Sequence, residues 1–320
     1  MCSLSNPAII TSVNFFRSLT AWVDTSQADL TSVPAGRAHQ VDYTRVLPFI
    51  ALHLACFAVF WVGVSWVAVA VFAFSYLVRM FAITAFYHRY FSHRAFKASR
   101  PVQFVFAIIG ASATQRGPLW WAAHHRRHHK QADRNGDPHT PRKGLLWSHM
   151  GWFLSRSHFG TEWSQIPDLA KFPELRWLDR FDIVVPVAYA AGMFGLGVLI
   201  DRAFPSLGTS GGQMLVWGYF MSTVALIHVT LTINSLAHRF GTRRFNTPDR
   251  SRNNPWLALL TLGEGWHNNH HHFPGSARQG FFWWELDISY LVLKVMARAG
   301  LVRDLKPVPA GFLEFRRITD

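Results

Sequence analysis

From Val46 to Val78 the chain runs without a single Asp, Glu, Lys or Arg. A surface helix of a soluble domain needs a polar face, and at about 20 residues per crossing the stretch is too long for one membrane span. It reads as part of a helical hairpin with spans over 46–62 and 64–87 and a turn near Trp61–Gly63. The second helix continues through Arg79 and Met80 and delivers His88 at its end. Two further apolar runs, 182–202 and 214–237, are joined by a short connection and supply a second pair. Half of all residues are hydrophobic, including 27 Phe and 14 Trp. The expected fold is an all-α integral membrane protein with four transmembrane helices and a cytoplasmic helical cap. Its parts are an N-terminal segment 1–45, a membrane domain 46–305 and a tail 306–320.

Basic residues orient the spans. Residues 88–180 carry fifteen Lys or Arg and residues 239–320 carry twelve, whereas the turns between paired helices carry almost none beyond Arg202. By the positive-inside rule both termini and the large middle segment are cytoplasmic, as in a multi-pass protein of a bacterial inner membrane. The formal charge of +14 is then a topology signal, reinforced by attraction to anionic lipid headgroups. Nucleic acid is not an expected partner, because the basic residues are dispersed around hydrophobic spans instead of gathered on one soluble face. Only two cysteines occur, Cys2 and Cys56, so neither a disulfide framework nor a cysteine metal site is expected. Residues 1–45 show no secretory-signal pattern, and the first span is expected to target the chain.

Ten of the seventeen histidines fall in three clusters: His88-Arg89-Tyr90-Phe91-Ser92-His93, His124-His125-Arg126-Arg127-His128-His129 and His267-Asn268-Asn269-His270-His271-His272. All three lie on the predicted cytoplasmic side. On a helix, positions i, i+3 and i+4 share a face, so His125, His128 and His129 can converge, and His267, His270 and His271 repeat the spacing. His88 and His93 are five apart, roughly 140° around an ideal helix, and converge only if the helix ends or bends between them. Asn234 and His238 form an i, i+4 pair at the end of the fourth span, where polar groups are costly unless they serve a site. Nine histidines from four segments are too many for a closed four-ligand zinc site. Imidazole suits iron, copper, nickel or zinc, and the count fits two metals of four or five ligands each.

These boxes resemble those of the membrane-bound Δ9 fatty-acyl desaturases of the stearoyl-CoA type, over about residues 45–305. The likeness rests on His88-x4-His93, His125-x2-His128-His129, His267-x2-His270-His271 and Asn234-x3-His238. It extends to the flanking Asp137-Pro138-His139, Ser148-His149-Met150-Gly151-Trp152 and Gly263-Glu264-Gly265-Trp266. The resemblance implies two iron ions held by His88, His93, His125, His128, His129, His238, His267, His270 and His271, with Asn234 reaching one metal through water. His124 and His272 fall outside that set.

It also implies an oxygen-dependent desaturation that inserts a cis double bond into a saturated long-chain acyl-CoA. Hydrocarbon gives acid–base catalysis no handle, so position along the chain is set by holding one carbon pair beside the metals. In the family a kinked apolar tunnel does this, shaped by residues that match Gln115, Trp121 and Thr230, with Tyr76 at its closed end. Arg156 matches a basic residue near the nucleotide end of the substrate. An Arg-Asp pair that grips coenzyme A in the animal enzymes is Ala123-His124 here, so lipid-bound and carrier-protein-bound acyl chains stay open as alternatives. Reducing equivalents are expected from a separate donor, a ferredoxin, a rubredoxin or a b5-type cytochrome with its reductase, steered by the basic cytoplasmic surface. A membrane hydroxylase on the same metal plan and a non-enzymatic metal-binding membrane protein are the alternative functions. Residues 280–300 are expected to form an amphipathic helix on the membrane or closing the cap.

Overall fold

The structure is a computed structural model that describes residues 20, 22–27 and 40–318. Most of the predicted N-terminal segment, including Cys2, therefore lies outside the described residues. The fold is helical, and the one sheet among the described residues pairs Lys97–Ala98 with Val302–Arg303. Helix α1, Tyr43–Ala55, continues through a tight turn at Cys56–Ala58 into Val59–Val62. Gly63, at φ +70°, ends it. Ser65 then caps α2, Trp66–Phe81, by accepting a hydrogen bond from the Ala68 N–H at 3.1 Å. Helix α2 runs directly into a π-wound segment, Ala82–Ser92, every residue of which is buried.

Helices α3, Arg100–Ala111, and α4, Pro118–Gln131, follow, then α5, Pro173–Arg180, and α6, Val184–Ala203. Helix α7 is continuous over Gly211–Ser235, with a π-wound stretch at Val216–Met221. The C-terminal part holds α8, Pro255–Leu260, α9, His267–His272, and α10, Ile288–Arg298.

Three of these helices are long and apolar enough to cross a membrane: Trp66–Ser92, Val184–Ala203 and Gly211–Ser235. The predicted span 46–62 is a shorter apolar helix, Val46–Val62. Trp66–Ser92 has 27 residues, about 40 Å at 1.5 Å per residue, against roughly 30 Å of hydrocarbon. It is therefore long enough to carry both a membrane span and the start of the first histidine cluster. Arg79 sits inside this helix, buried, and its donors are satisfied. They reach the Ser75 and Ser112 carbonyls and the Thr223 and Ser222 hydroxyls at 2.5–3.2 Å. Satisfied donors are what allow a guanidinium in such a place.

The main core lies where the π-wound segment meets α3 and α4. Phe86 stacks on Phe106 at 3.7 Å, and a Cβ at Gly110 would come within 2.1 Å of the Tyr87 ring. Close approach of α3 to the π-wound segment therefore depends on that glycine. The predicted helix within 280–300 is α10. It buries Ser289 and Leu293 against the core and exposes Leu291 and Val295.

Candidate metal centre

Two groups of imidazoles converge. His88, His93, His125, His129 and His270 each bring one ring nitrogen to within 4.8 Å of all the others, and His128, His238, His267 and His271 do the same. Nε2 faces Nε2 throughout the first group: His93 to His125 at 2.8 Å, His125 to His129 at 3.0 Å, His129 to His270 at 2.9 Å and His270 to His88 at 3.0 Å. In the second, His238 meets His267 at 3.0 Å and His128 meets His271 at 3.3 Å.

The other ring nitrogens explain why this arrangement fits metal ions. The Nδ1 of His128 donates to Asp137 at 3.0 Å, that of His271 to Asp249 at 3.0 Å, and that of His238 lies 3.2 Å from Asp133. The Nδ1 of His88 pairs with Glu264. A carboxylate only accepts, so Nδ1 carries the proton and Nε2 presents a lone pair inward. Opposed lone pairs about 3 Å apart repel unless a cation lies among them, and neutral imidazole is the form that binds one. Burial, followed by the influence of neighbouring imidazoles, holds His125, His129, His267 and His270 well below the usual imidazole range. Burial pushes Asp137 up, but the attraction of His128 and His139 and the hydrogen bonds it accepts hold it below the usual carboxylate range. The carboxylate that anchors His128 is thus ionised at neutral pH.

Local structure places each ligand candidate. Helix α4 starts at Gly117-Pro118, and Asp179 of α5 accepts from the Leu119 and Trp120 N–H groups at 3.1 and 2.7 Å, the task of an N-terminal cap. Its i, i+3, i+4 face then serves both groups, His125 and His129 in one and His128 in the other. Helix α9 divides likewise, with His270 in the first group and His267 and His271 in the second. It is only six residues long and is held by side chains. Asn253 Oδ1 accepts from the Asn268 and Asn269 N–H groups, and Asn268 Oδ1 accepts from those of Arg244 and Phe245.

The bend required between His88 and His93 is the π winding, in which the His93 N–H donates to the His88 carbonyl at 3.2 Å. An i→i+5 bond lays residues five apart on one side of the helix. Arg89, in the same box, is buried and donates to Glu264, Asp287 and the Ala277 carbonyl, fastening the first cluster to the third.

A cavity of about 360 Å³ adjoins the first group, with His125 in its wall. Gln115, Trp121, Thr230 and Asn234 also line it. Gln115 donates to Thr230 at 3.1 Å and receives the Trp121 indole N–H at 3.4 Å, so three predicted tunnel residues form one linked strip. Tyr76 and Arg156 are not among the lining residues. The Tyr76 hydroxyl donates to the Leu260 carbonyl at 2.7 Å, and Arg156 lies 3.4 Å from Asp42. The helical i, i+4 relation expected of Asn234 and His238 does not form. Helix α7 ends at Ser235, the Leu236 and Ala237 N–H groups both turn to the Thr232 carbonyl, and His238 lies in the turn beyond.

His124 and His272 belong to neither group; they bond to the Gly160 and Phe312 carbonyls. Sequence reasoning assigned no role to Asp133, Asp249, Gln279 or the asparagines of the third box. Asp249 is 22 residues from His271, and no spacing rule links them. The available signal was scarcity: with only 18 Asp and Glu in 320 residues, an acid in a histidine-rich half is a candidate partner.

Helices of membrane-spanning length, with two groups of converging imidazoles and an apolar cavity beside them, define a membrane protein with a candidate metal site. Within that class the chain belongs to the fatty acid desaturase family, whose family model matches residues 64–301. It is 37% identical over 217 residues to a probable chloroplastic lipid desaturase of Arabidopsis thaliana, covering 67% of this chain and 56% of that protein. To an sn-1 stearoyl-lipid 9-desaturase of Anabaena variabilis it is 36% identical over 214 residues, 67% and 74% of the two chains. To an acyl-CoA C20 Δ5-desaturase of Anemone leveillei it is 35% identical over 216 residues, 67% and 65%. The chain thus spans little more than half the length of the plant lipid desaturase it matches.

Proposed function

We propose that this protein is an oxygen-dependent fatty-acyl desaturase that introduces a cis double bond near carbon 9 of a saturated long chain. The observation that carries the reading is that His125 belongs both to a group of converging imidazoles and to the wall of an apolar cavity. Whatever hydrocarbon fills the cavity lies against the metal ligands. The net reaction joins –CH2–CH2–, O2, two electrons and two protons to give –CH=CH– and two waters, so an external donor is required. A ferredoxin, a rubredoxin or a b5-type cytochrome would meet the basic cytoplasmic face.

Two irons are the proposed cofactor, one held by His88, His93, His125, His129 and His270 and the other by His128, His238, His267 and His271, with Asn234 through water. The bound pair would supply the reductive activation of dioxygen. The protein's own part is positioning. Asp137, Asp249, Asp133 and Glu264 fix which nitrogen of each ring faces inward. The strip of Trp121, Gln115 and Thr230 holds the hydrocarbon against His125, and the apolar wall keeps water from the reacting carbons. Four spans, with α1 extended through Val62 as the first, and a cytoplasmic cap complete the topology. The domain limits 46–305 follow the same reading. Acyl-CoA and lipid-bound chains are both represented among the relatives, and the carrier is taken up below.

Expression in a host without Δ9 activity, with mass spectrometry of derivatised fatty acids, tests the reaction and the bond position together. The expected result is one monoene series with a fixed double bond, absent when His128 or His270 is changed to Ala although the protein stays in the membrane. A hydroxylated product, or no product from iron-loaded protein, would overturn the reading.

A further inference from the structure

We infer that the acyl chain arrives still esterified to a membrane glycerolipid and enters the cavity sideways from the bilayer, between α1 and α6. The inference deepens the desaturase reading and rests on it. Two observations carry it, one electrostatic and one topographic.

Among the described residues, the only charged side chains lining the cavity, histidines aside, are Arg116 and Asp182. They neutralise each other, Nε to Oδ2 at 2.6 Å, and Arg116 directs Nη2 to the Phe159 carbonyl at 3.1 Å. Next to the lining residues Trp22 and Thr25, Arg180 is held by both oxygens of Asp24 at 2.9 and 2.6 Å. Next to the lining residue Leu154, Arg156 faces Asp42 at 3.4 Å. A coenzyme A thioester brings several phosphate charges, and those need guanidinium forks that are free and uncompensated. The forks of Arg116, Arg180 and Arg156, the ones beside this cavity, already face carboxylates. A glycerolipid ester makes no such demand.

The cavity also reaches the outer surface of the membrane helices. Pro48 on α1 and Val187 on α6 line it, and both are exposed, Val187 by 58%. Phe49 and Ile183 line it beside them. Pro48 and Val187 fall in the first two turns of their helices, which places the opening near the level where glycerol esters meet acyl chains. Exposed apolar side chains at that depth face lipid. An acyl chain can therefore pass from the leaflet into the cavity without crossing water, its ester and headgroup staying at the interface.

The test uses the full-length protein in liposomes and photoreactive diazirine groups midway along the acyl chain, carried either by phosphatidylcholine or by stearoyl-CoA. Cross-linked peptides are read by mass spectrometry, which needs no electron donor and no turnover. The expected result is labelling at Trp121 or Thr230 by the phosphatidylcholine probe at least tenfold above that by the thioester. Val187→Trp, which fills the opening, is expected to reduce it at least tenfold. Equal or stronger cavity labelling by the thioester, or no cavity labelling by the lipid, would overturn the inference. Failure of the desaturase reading shows elsewhere, as absence of monoene in the expression experiment, whichever probe labels the cavity.

Discussion

His125 has one ring in two neighbourhoods. Its Nε2 meets His93 and His129, and the ring stacks on Trp121 at 5.0 Å between centroids and borders the cavity. That double membership puts one candidate ligand in the cavity wall, so a candidate ligand away from the cavity gives the less ambiguous test, through the carboxylate that anchors it. Asp249 is such an anchor: it is buried, bonds to His271 Nδ1 at 3.0 Å and touches no predicted substrate residue. Asp249→Asn should keep the shape but turn an acceptor into a group that can also donate, loosening the tautomer of His271. The expected effect is about 10–100-fold weaker iron retention, measured as iron released to a chelator over time. His272→Ala, outside both groups, should release iron at the wild-type rate. Equal retention by Asp249→Asn and wild type would show that the carboxylate does not set the ligand.

At the scale of elements, the short helix α9 is placed by contacts beyond its own sequence. A Cβ at Gly265 would lie 2.0 Å from the Ala258 backbone nitrogen and 2.4 Å from the Asn254 carbonyl oxygen, and backbone cannot swing aside as a side chain can. Gly265→Ala should push α9 away from α8 at a cost on the order of 1–3 kcal/mol and carry His267, His270 and His271 with it. The expected outcome is loss of both metals with a lower unfolding temperature, read by metal analysis and thermal denaturation; wild-type iron content would refute the close packing. The same scale shows where sequence patterning succeeded and failed. The spacing in α4 puts His125, His128 and His129 on one face, because an α-helix fixes those angles by itself, but the three do not converge on one point: His125 and His129 join one group and His128 the other. The spacing of His88 and His93 predicted only that the helix had to bend, since π winding depends on the packing around Ala82–Ser92 and not on local propensity. Asn234 and His238 carried helical spacing, yet the helix stops between them because its final amides find the Thr232 carbonyl.

For the molecule as a whole, topology is the open quantity with the sharpest test. Single cysteines placed at Gly208, in the connection between α6 and α7, and at Lys143, in the basic middle segment, report on the two faces of the membrane. In a bacterial host a membrane-impermeant maleimide applied to intact spheroplasts should label the Gly208 position. The Lys143 position should be labelled only after the membrane is opened. The reverse pattern would overturn the positive-inside assignment, and labelling of both from one side would remove a span. The amino-acid sequence alone determined that the chain has membrane-length apolar helices, that its basic residues gather in the segments between and after them, and that its histidines recur at helical spacing. Each of these is written in local composition and in the fixed periodicity of the helix. Only the tertiary structure decided which histidines group together, which carboxylates hold them, and that the cavity wall pairs Arg116 with Asp182 and includes the exposed Pro48 and Val187. Most of those relations join residues 22 to 182 positions apart, and distance in space between such residues is set by packing, which no local pattern records.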